Sequence, residues 1–214
     1  METALDHLLL LLILSDVALL AVARFARVIG LVAFQGTALA AMAMLVPQGP
    51  LAGRALLLGM AGLVVRGLLF PFLLGRAARQ AGIVEERNPQ VGFAASVILG
   101  IAMLGAAMAL GGRMPLHRPD LPSLIVPTAL FTILTGVFLI VARRKALTQC
   151  LGYLVLENGI FCFGVAAVGE VPALVELGVL LDLFLAVLVM GIAMYRLREE
   201  FDDMDTDLLT TLRG

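Results

Sequence analysis

The sequence predicts an all-α, polytopic membrane protein with seven transmembrane helices, on three observations. Of the 214 residues 61% are hydrophobic and 14% charged, with a mean hydropathy of +1.05, where a soluble domain is about half apolar and about a quarter charged. The apolar runs are far too long for buried strands, and the alternation of an outer-membrane barrel is absent. Charges and prolines divide the chain into seven runs, at about 5–23, 26–46, 51–75, 91–111, 122–142, 146–168 and 171–195. Each is long enough to cross a hydrocarbon core of ~30 Å.

The first run ends in Ala21-Val22-Ala23, which has the look of a signal cleavage site. Its leading segment is acidic (Glu2, Asp6), however, and its basic flank, Arg24 and Arg27, follows the apolar run. That is the wrong polarity for a cleaved signal, so a retained anchor is expected. The second run carries one strong polar residue, Gln35, and the third carries Arg66. The fourth, with Gly100, Gly105 and many alanines, reads as a close-packing helix without ionisable groups. Between it and the fifth, Pro115, Pro119, Pro122 and His117 form an ordered external turn. The sixth run follows the basic triplet Arg143-Arg144-Lys145 and holds Glu157 at its midpoint; the seventh holds Asp182, with Glu176 about one turn inside its outer boundary.

Orientation follows from the basic residues. One face receives Arg24, Arg27, Arg76, Arg79, Arg87, Arg143, Arg144, Lys145, Arg196, Arg198 and Arg213, the other Arg54, Arg113 and Arg118. This asymmetry places the N-terminus outside and the C-terminus in the cytoplasm. Spans one to three and five to seven then share an orientation, and both second members follow a basic connection. A parallel three-helix repeat is read from this, with Gln35 in the first copy where Glu157 stands in the second. The chain divides into a four-helix part (1–111), a three-helix part (122–195) and an acidic tail (196–214).

The intramembrane polar groups lie at similar depth. Counted from the cytoplasmic flank at ~1.5 Å per residue, Asp16 and Gln35 lie ~12 Å in, Arg66 ~15 Å, Glu157 ~18 Å and Asp182 ~21 Å. An acid at the bilayer centre costs roughly 2.5–3.5 kcal/mol, so each must be protonated, paired or facing water within protein. Five spans with a polar group in one slab suggest a hydrated proton or ion track. Each residue also has a plainer reading. Gln35 makes an interhelical hydrogen bond, Arg66 neutralises Asp16 or Glu157, Asp16 anchors a neighbouring subunit, Glu176 snorkels, and His7 is solvated at the interface. Glu157 and Asp182 carry the strongest functional case, because no basic residue on their own helices is near enough to neutralise them.

Cys150 and Cys162 fall on one helix and cannot close a disulfide. Without a Cys-x-x-Cys or Cys/His cluster, the chain is not expected to ligate iron–sulfur or nickel. No P-loop, dinucleotide fingerprint or His-Glu-x-x-His motif occurs. Redox or hydrolytic chemistry is therefore not expected in this chain.

These residues carry a resemblance. Arg143-Arg144 before a helix, Gly152 within it, Glu157 followed by Asn158, Asp182 central in the next helix, and the closing Leu212-Arg213-Gly214 resemble the K subunit of bacterial respiratory complex I. That subunit is related to the C subunit of multisubunit cation/proton antiporters. With seven spans and the tail Met204-Asp205-Thr206-Asp207-Leu208, the full length is similar to the hydrogenase-4 component E family, membrane subunits of energy-converting hydrogenases. The resemblance implies a non-redox subunit of a prokaryotic inner (plasma) membrane complex. Glu157 and Asp182 would serve proton translocation beside antiporter-like membrane subunits, with nickel–iron and iron–sulfur centres on partner chains and no cofactor here. Aligned through Arg143-Arg144 and Gly152, the first glutamate of the K subunit would fall on Leu154. Glu157 lies three residues later, ~4.5 Å along the axis on nearly the same face. Asp182 shortens the second acid by one methylene.

Two other readings are a free-standing secondary ion transporter and a purely structural membrane scaffold. Transporter sites usually use helices broken at the midplane, and no Gly/Pro break accompanies the acids. Beyond the lipid bilayer, the peripheral redox arm is the expected partner of the tail, and no nucleic acid is expected. In residues 199–214, Phe201, Met204, Leu208 and Leu212 share one helical face. Six acids against Arg213 make that segment unsuited to an anionic membrane surface. The charge asymmetry predicts that a C-terminal alkaline phosphatase fusion is inactive while a fluorescent protein fused at the same place glows; the reverse pattern would overturn the topology.

Overall fold

The structure, a computed structural model, describes residues 2–45, 60, 63–80, 90–114 and 121–167. The fold is all-helical. Helix α1 covers Glu2–Ala21 and α2 Phe25–Leu45. A π-helical turn at Val65–Leu69 leads into α3, Phe70–Gln80. Then follow α4, Phe93–Gly111, α5, Ile125–Ala142, and α6, Ala146–Ala167. Among the described residues, five helices are long and apolar enough to cross a membrane: α1, α2, α4, α5 and α6. Most of the third span and the whole of the seventh, with Glu176, Asp182 and the acidic tail, lie outside the described residues, as does the external turn from Pro115 to Asp120.

Two helical hairpins form the core. In each, a short basic link joins the helices, Val22-Ala23-Arg24 after α1 and Arg143-Arg144-Lys145 after α5. Helix α1 packs on α5 and α2 on α6. Leu5, Leu9, Ile125 and Val126 share one cluster, and Leu19, Leu20 and Leu139 another, so α1 and α5 run parallel. Val28 and Ile29 likewise share a cluster with Leu147 and Leu151, while Ala38 and Met42 share one with Phe161 and Val165. Both links therefore lie at the same end, where the amide of Gln90 donates to the Ala142 carbonyl (3.0 Å) and Leu74, Ala77 and Ala78 of α3 join the packing. Among the described residues, this end carries Arg24, Arg27, Arg143, Arg144 and Lys145, which the sequence assigns to the cytoplasm.

The most extensive contact, between α5 and α6, depends on three glycines. A Cβ on Gly136 would meet the Leu156 nitrogen at 2.3 Å, one on Gly159 the Ile133 nitrogen at 2.6 Å, and one on Gly152 the Ile140 nitrogen at 2.9 Å. Backbone stands against backbone, as in other membrane helix pairs where small residues permit close approach. The close packing read into the fourth span is only partly present. Gly100 of α4 fits against Leu20, at 2.3 Å from a Cβ to Cδ1, but a Cβ on Gly105 meets nothing within 4 Å. Ser96, Gly100 and Ala107 are the buried residues of α4, while Ile98, Ile101 and Leu110 are exposed. Helix α4 is thus a peripheral helix against α1 and α5.

Helix α3 continues to Gln80, beyond the expected end of the third span, and takes Arg76 and Arg79 with it. The π turn before it has a local cause. Pro71 lacks the N–H that an α-helical ladder needs, and its ring crowds the carbonyl four residues back. Widening the preceding turn accommodates both. Pro127 in α5 needs no such adjustment, because it falls in the first turn, where amides have no partner in the helix.

Replacing Gly136 by Ala should separate α5 from α6 and cost about 1–3 kcal/mol, whereas Gly75→Ala, at a position where a Cβ meets nothing within 4 Å, should stay within about 0.5 kcal/mol. Thermal unfolding in detergent checks this; equal melting of the two variants would contradict the packing.

Candidate functional site

A buried polar cluster sits where α1, α2 and α5 meet. Asp16, on α1, is 0% exposed and receives two hydrogen bonds from other helices. Gln35 Nε2, from α2, donates to Oδ1 at 2.7 Å, and Thr132 Oγ1, from α5, donates to Oδ2 at 2.6 Å. Gln35 Nε2 also donates to Ser15 Oγ at 2.9 Å, and Ser15 Oγ donates to the Leu12 carbonyl at 2.7 Å. The serine thereby fixes which way the amide faces. Helix geometry explains the convergence, because apolar residues around these positions turn the polar ones inward to neighbours that can satisfy them.

Two oxygens beside this cluster, Gln35 Oε1 and Thr135 Oγ1, are buried with no hydrogen-bond partner among the described residues. Thr128, Thr132 and Thr135 recur at spacings of four and three along α5, on one face. All three are buried.

Glu157 is buried on α6, at 4% exposure, with Asn158 beside it. The faces around it have assigned neighbours. Gly152, Leu156 and Gly159 meet α5, while Leu154 and Asn158 line a crevice shared with Val32 and Gly36 of α2 and Phe70 and Pro71 of α3. Glu157 lies ~100° round the helix from both Leu156 and Asn158. The hydrogen-bonded set around Asp16 does not include it. Of the residues read as one track, the structure brings Asp16 and Gln35 together and sets Glu157 on a different helix face. Arg66 stands on the π turn, while Asp182 and Glu176 lie outside the described residues.

Arg143, part of the basic link, is 2% exposed. Its guanidinium lies 4.6 Å from the Phe93 ring centroid. It donates to the Leu20 carbonyl at 3.2 Å and the Val91 carbonyl at 3.4 Å. The side chain therefore caps the C-terminal end of α1, where carbonyls lack helical partners, and ties it to the start of α4 and the end of α5. Counting charges identifies this arginine only as a topology signal. Ser15, Thr132 and Thr135 were also missed, although the threonine spacing in an otherwise apolar span was a usable sign. Cys150 and Cys162 are buried free thiols, and Cys162 Sγ donates to the Ile125 carbonyl at 3.8 Å, as small packing residues do.

No family model and no solved structure matches the chain. Its sequence is similar to "Uncharacterized protein Rv0085" of Mycobacterium tuberculosis, 34% identical over 187 residues, which span 87% of this chain and 85% of that one. It is also similar to hydrogenase-4 component E of Escherichia coli K12 and of Shigella flexneri, 29% identical over 153 residues, 71% of this chain and 70% of each relative. By these identities and coverages, the chain belongs to the family of the mycobacterial protein and is a distant homologue of hydrogenase-4 component E.

Proposed function

We propose that the chain is a non-redox membrane subunit of a hydrogenase-4-like or complex-I-like assembly and contributes intramembrane acids to proton translocation driven by electron transfer. The observation that carries this reading is the buried carboxyl of Asp16, held by neutral donors from two other helices, in a homologue of hydrogenase-4 component E. Burying ionisable groups in an apolar bundle is costly, and their usual use is a proton or ion route. Glu157 and Asp182 are the principal acids of the path, with Asp16, Gln35, Arg66 and Glu176 as further members. Burial disfavours the charged form of such a group and a nearby cation favours it, so a charge change elsewhere in the complex moves a proton on or off.

The partners are antiporter-like membrane subunits beside the bundle and a peripheral redox arm at the acidic tail. Nickel–iron and iron–sulfur centres lie on those partner chains, and the complex resides in the prokaryotic inner membrane. A scaffold reading has one observation in its favour: Gln35 and Thr132 satisfy both oxygens of Asp16 and knit three helices together.

The two readings diverge on isosteric substitution. A carboxyl that only neutralises a fixed cation leaves that cation uncompensated when replaced by its amide, at a cost of about 3–5 kcal/mol in assembly. A relay acid tolerates the amide and loses turnover. Glu157→Gln and Asp182→Asn are expected to give assembled complexes with reduced proton translocation per electron in inverted vesicles, and Glu157→Asp to retain part of it. Full translocation in the double variant would leave the scaffold reading standing. Deleting residues 199–214 should release the peripheral arm on native gel electrophoresis; intact assembly and activity would show the tail to be only a solvated end.

A further inference from the structure

We propose that Asp16 is a proton-binding site whose two protonation states are both accommodated by the Thr132 hydroxyl, which turns between the Asp16 carboxyl and the Thr128 carbonyl. The inference rests on the proton-path reading above and assigns the positioning residue that allows one acid of that path to load and unload.

Thr132 Oγ1 lies within bonding distance of two acceptors, Asp16 Oδ2 at 2.6 Å and the Thr128 carbonyl at 3.0 Å. A hydroxyl has one hydrogen and two lone pairs, so it donates to one acceptor at a time and accepts along another direction. With Asp16 ionised, the hydroxyl donates to Oδ2. When a hydronium ion gives its proton to Oδ2, the ion leaves as water and a carboxyl O–H forms. That O–H donates to Thr132 Oγ1, and the threonine proton turns to the Thr128 carbonyl. Release is the reverse. Gln35 Nε2 continues to donate to Oδ1 in both states, since a carboxylate oxygen and an acid carbonyl both accept. Ser15 holds the amide in that orientation.

Three further features fit loading rather than a static anchor. Both donors to Asp16 are neutral, so its protonation leaves neither of them as a stranded cation, unlike a buried ion pair. Rotation of a hydroxyl needs no helix to move, which suits a core where α5 and α6 are locked backbone to backbone. Gln35 Oε1 and Thr135 Oγ1, both fully buried and without partners among the described residues, leave an acceptor on the Gln35 amide itself and a hydroxyl one turn along α5 from Thr132, polar atoms able to bond a water that carries the proton.

Infrared difference spectra of the purified complex carrying the full-length chain, taken between acidic and alkaline buffers, read the site directly. Among the described residues, the other buried titratable or charged side chains are Arg143 of the link and Cys150, Glu157 and Cys162 of α6, with none on α2, α4 or α5. Of these only Glu157 is a carboxyl, and Glu157→Gln removes its signal separately. The expected result is a carboxylic-acid C=O band that is lost in Asp16→Asn, shifted in Thr132→Val and restored in Thr132→Ser. Proton translocation should fall several-fold in Thr132→Val and recover in Thr132→Ser. A band indifferent to Asp16→Asn, or a Thr132→Val spectrum identical to that of the parent, would overturn the proposal. Should Asp16→Asn fail to assemble, the valine and serine variants decide alone. The band reports Asp16 itself, so it judges this inference whatever Glu157→Gln does to translocation.

Discussion

A carboxyl group inside an apolar helical bundle must be given partners, and that constraint at Asp16 fixes the relation of three helices. Its two oxygens take hydrogen bonds from α2 and α5. Sliding any of the three by one residue would shift a partner ~1.5 Å along the axis and break at least one of those bonds. The bonds specify register where leucine against leucine does not, since apolar packing in a lipid-like interior is tolerant of slippage. Arg143 adds a second anchor at the link end, fastening the last turn of α1 to the end of α5 and the start of α4.

Around these polar anchors the bundle divides the work of stability and function. The α5–α6 contact is built from glycine and backbone and has no room to yield. The Asp16 carboxyl and the Gln35 amide belong to α1 and α2, outside that contact, and the Thr132 hydroxyl turns about its own bond without moving the α5 backbone. Pro71 and the π turn before it introduce the one departure from α geometry among the described helices. It places Arg66 on a widened turn and brings α3 against α2 and α6, beside the crevice that Asn158 lines.

Much of this was legible in the sequence. Hydropathy and charge gave the all-helical membrane class and the hairpins on basic links, because apolar length and flanking arginine respond to the bilayer directly. Asp16, Gln35 and Glu157 stood out because a polar residue in an apolar run is conspicuous. What could not be read was direction around the helix axis. Depth alone grouped Asp16, Gln35 and Glu157 in a single slab, and only tertiary packing separates the face that carries Asp16's partners from the one that carries Glu157. Glycines were a similar case: Gly100 and Gly105 of α4 both looked like packing sites, yet only Gly100 meets a neighbour, while Gly136, Gly152 and Gly159 set α5 against α6 backbone to backbone, since a glycine's role depends on the surface opposite. Thr132 was overlooked because threonine is common in apolar helices, where its hydroxyl usually bonds back to its own turn.

Membership of an electron-transfer-driven proton translocator, as proposed, is tested most directly by the partners of the chain. Purification of the full-length chain from native membranes in mild detergent, with identification of the proteins that accompany it, is the decisive measurement. Antiporter-like membrane subunits are expected to accompany the chain, together with a peripheral arm bearing metal centres. Recovery of the chain as a small species free of other subunits would contradict that membership.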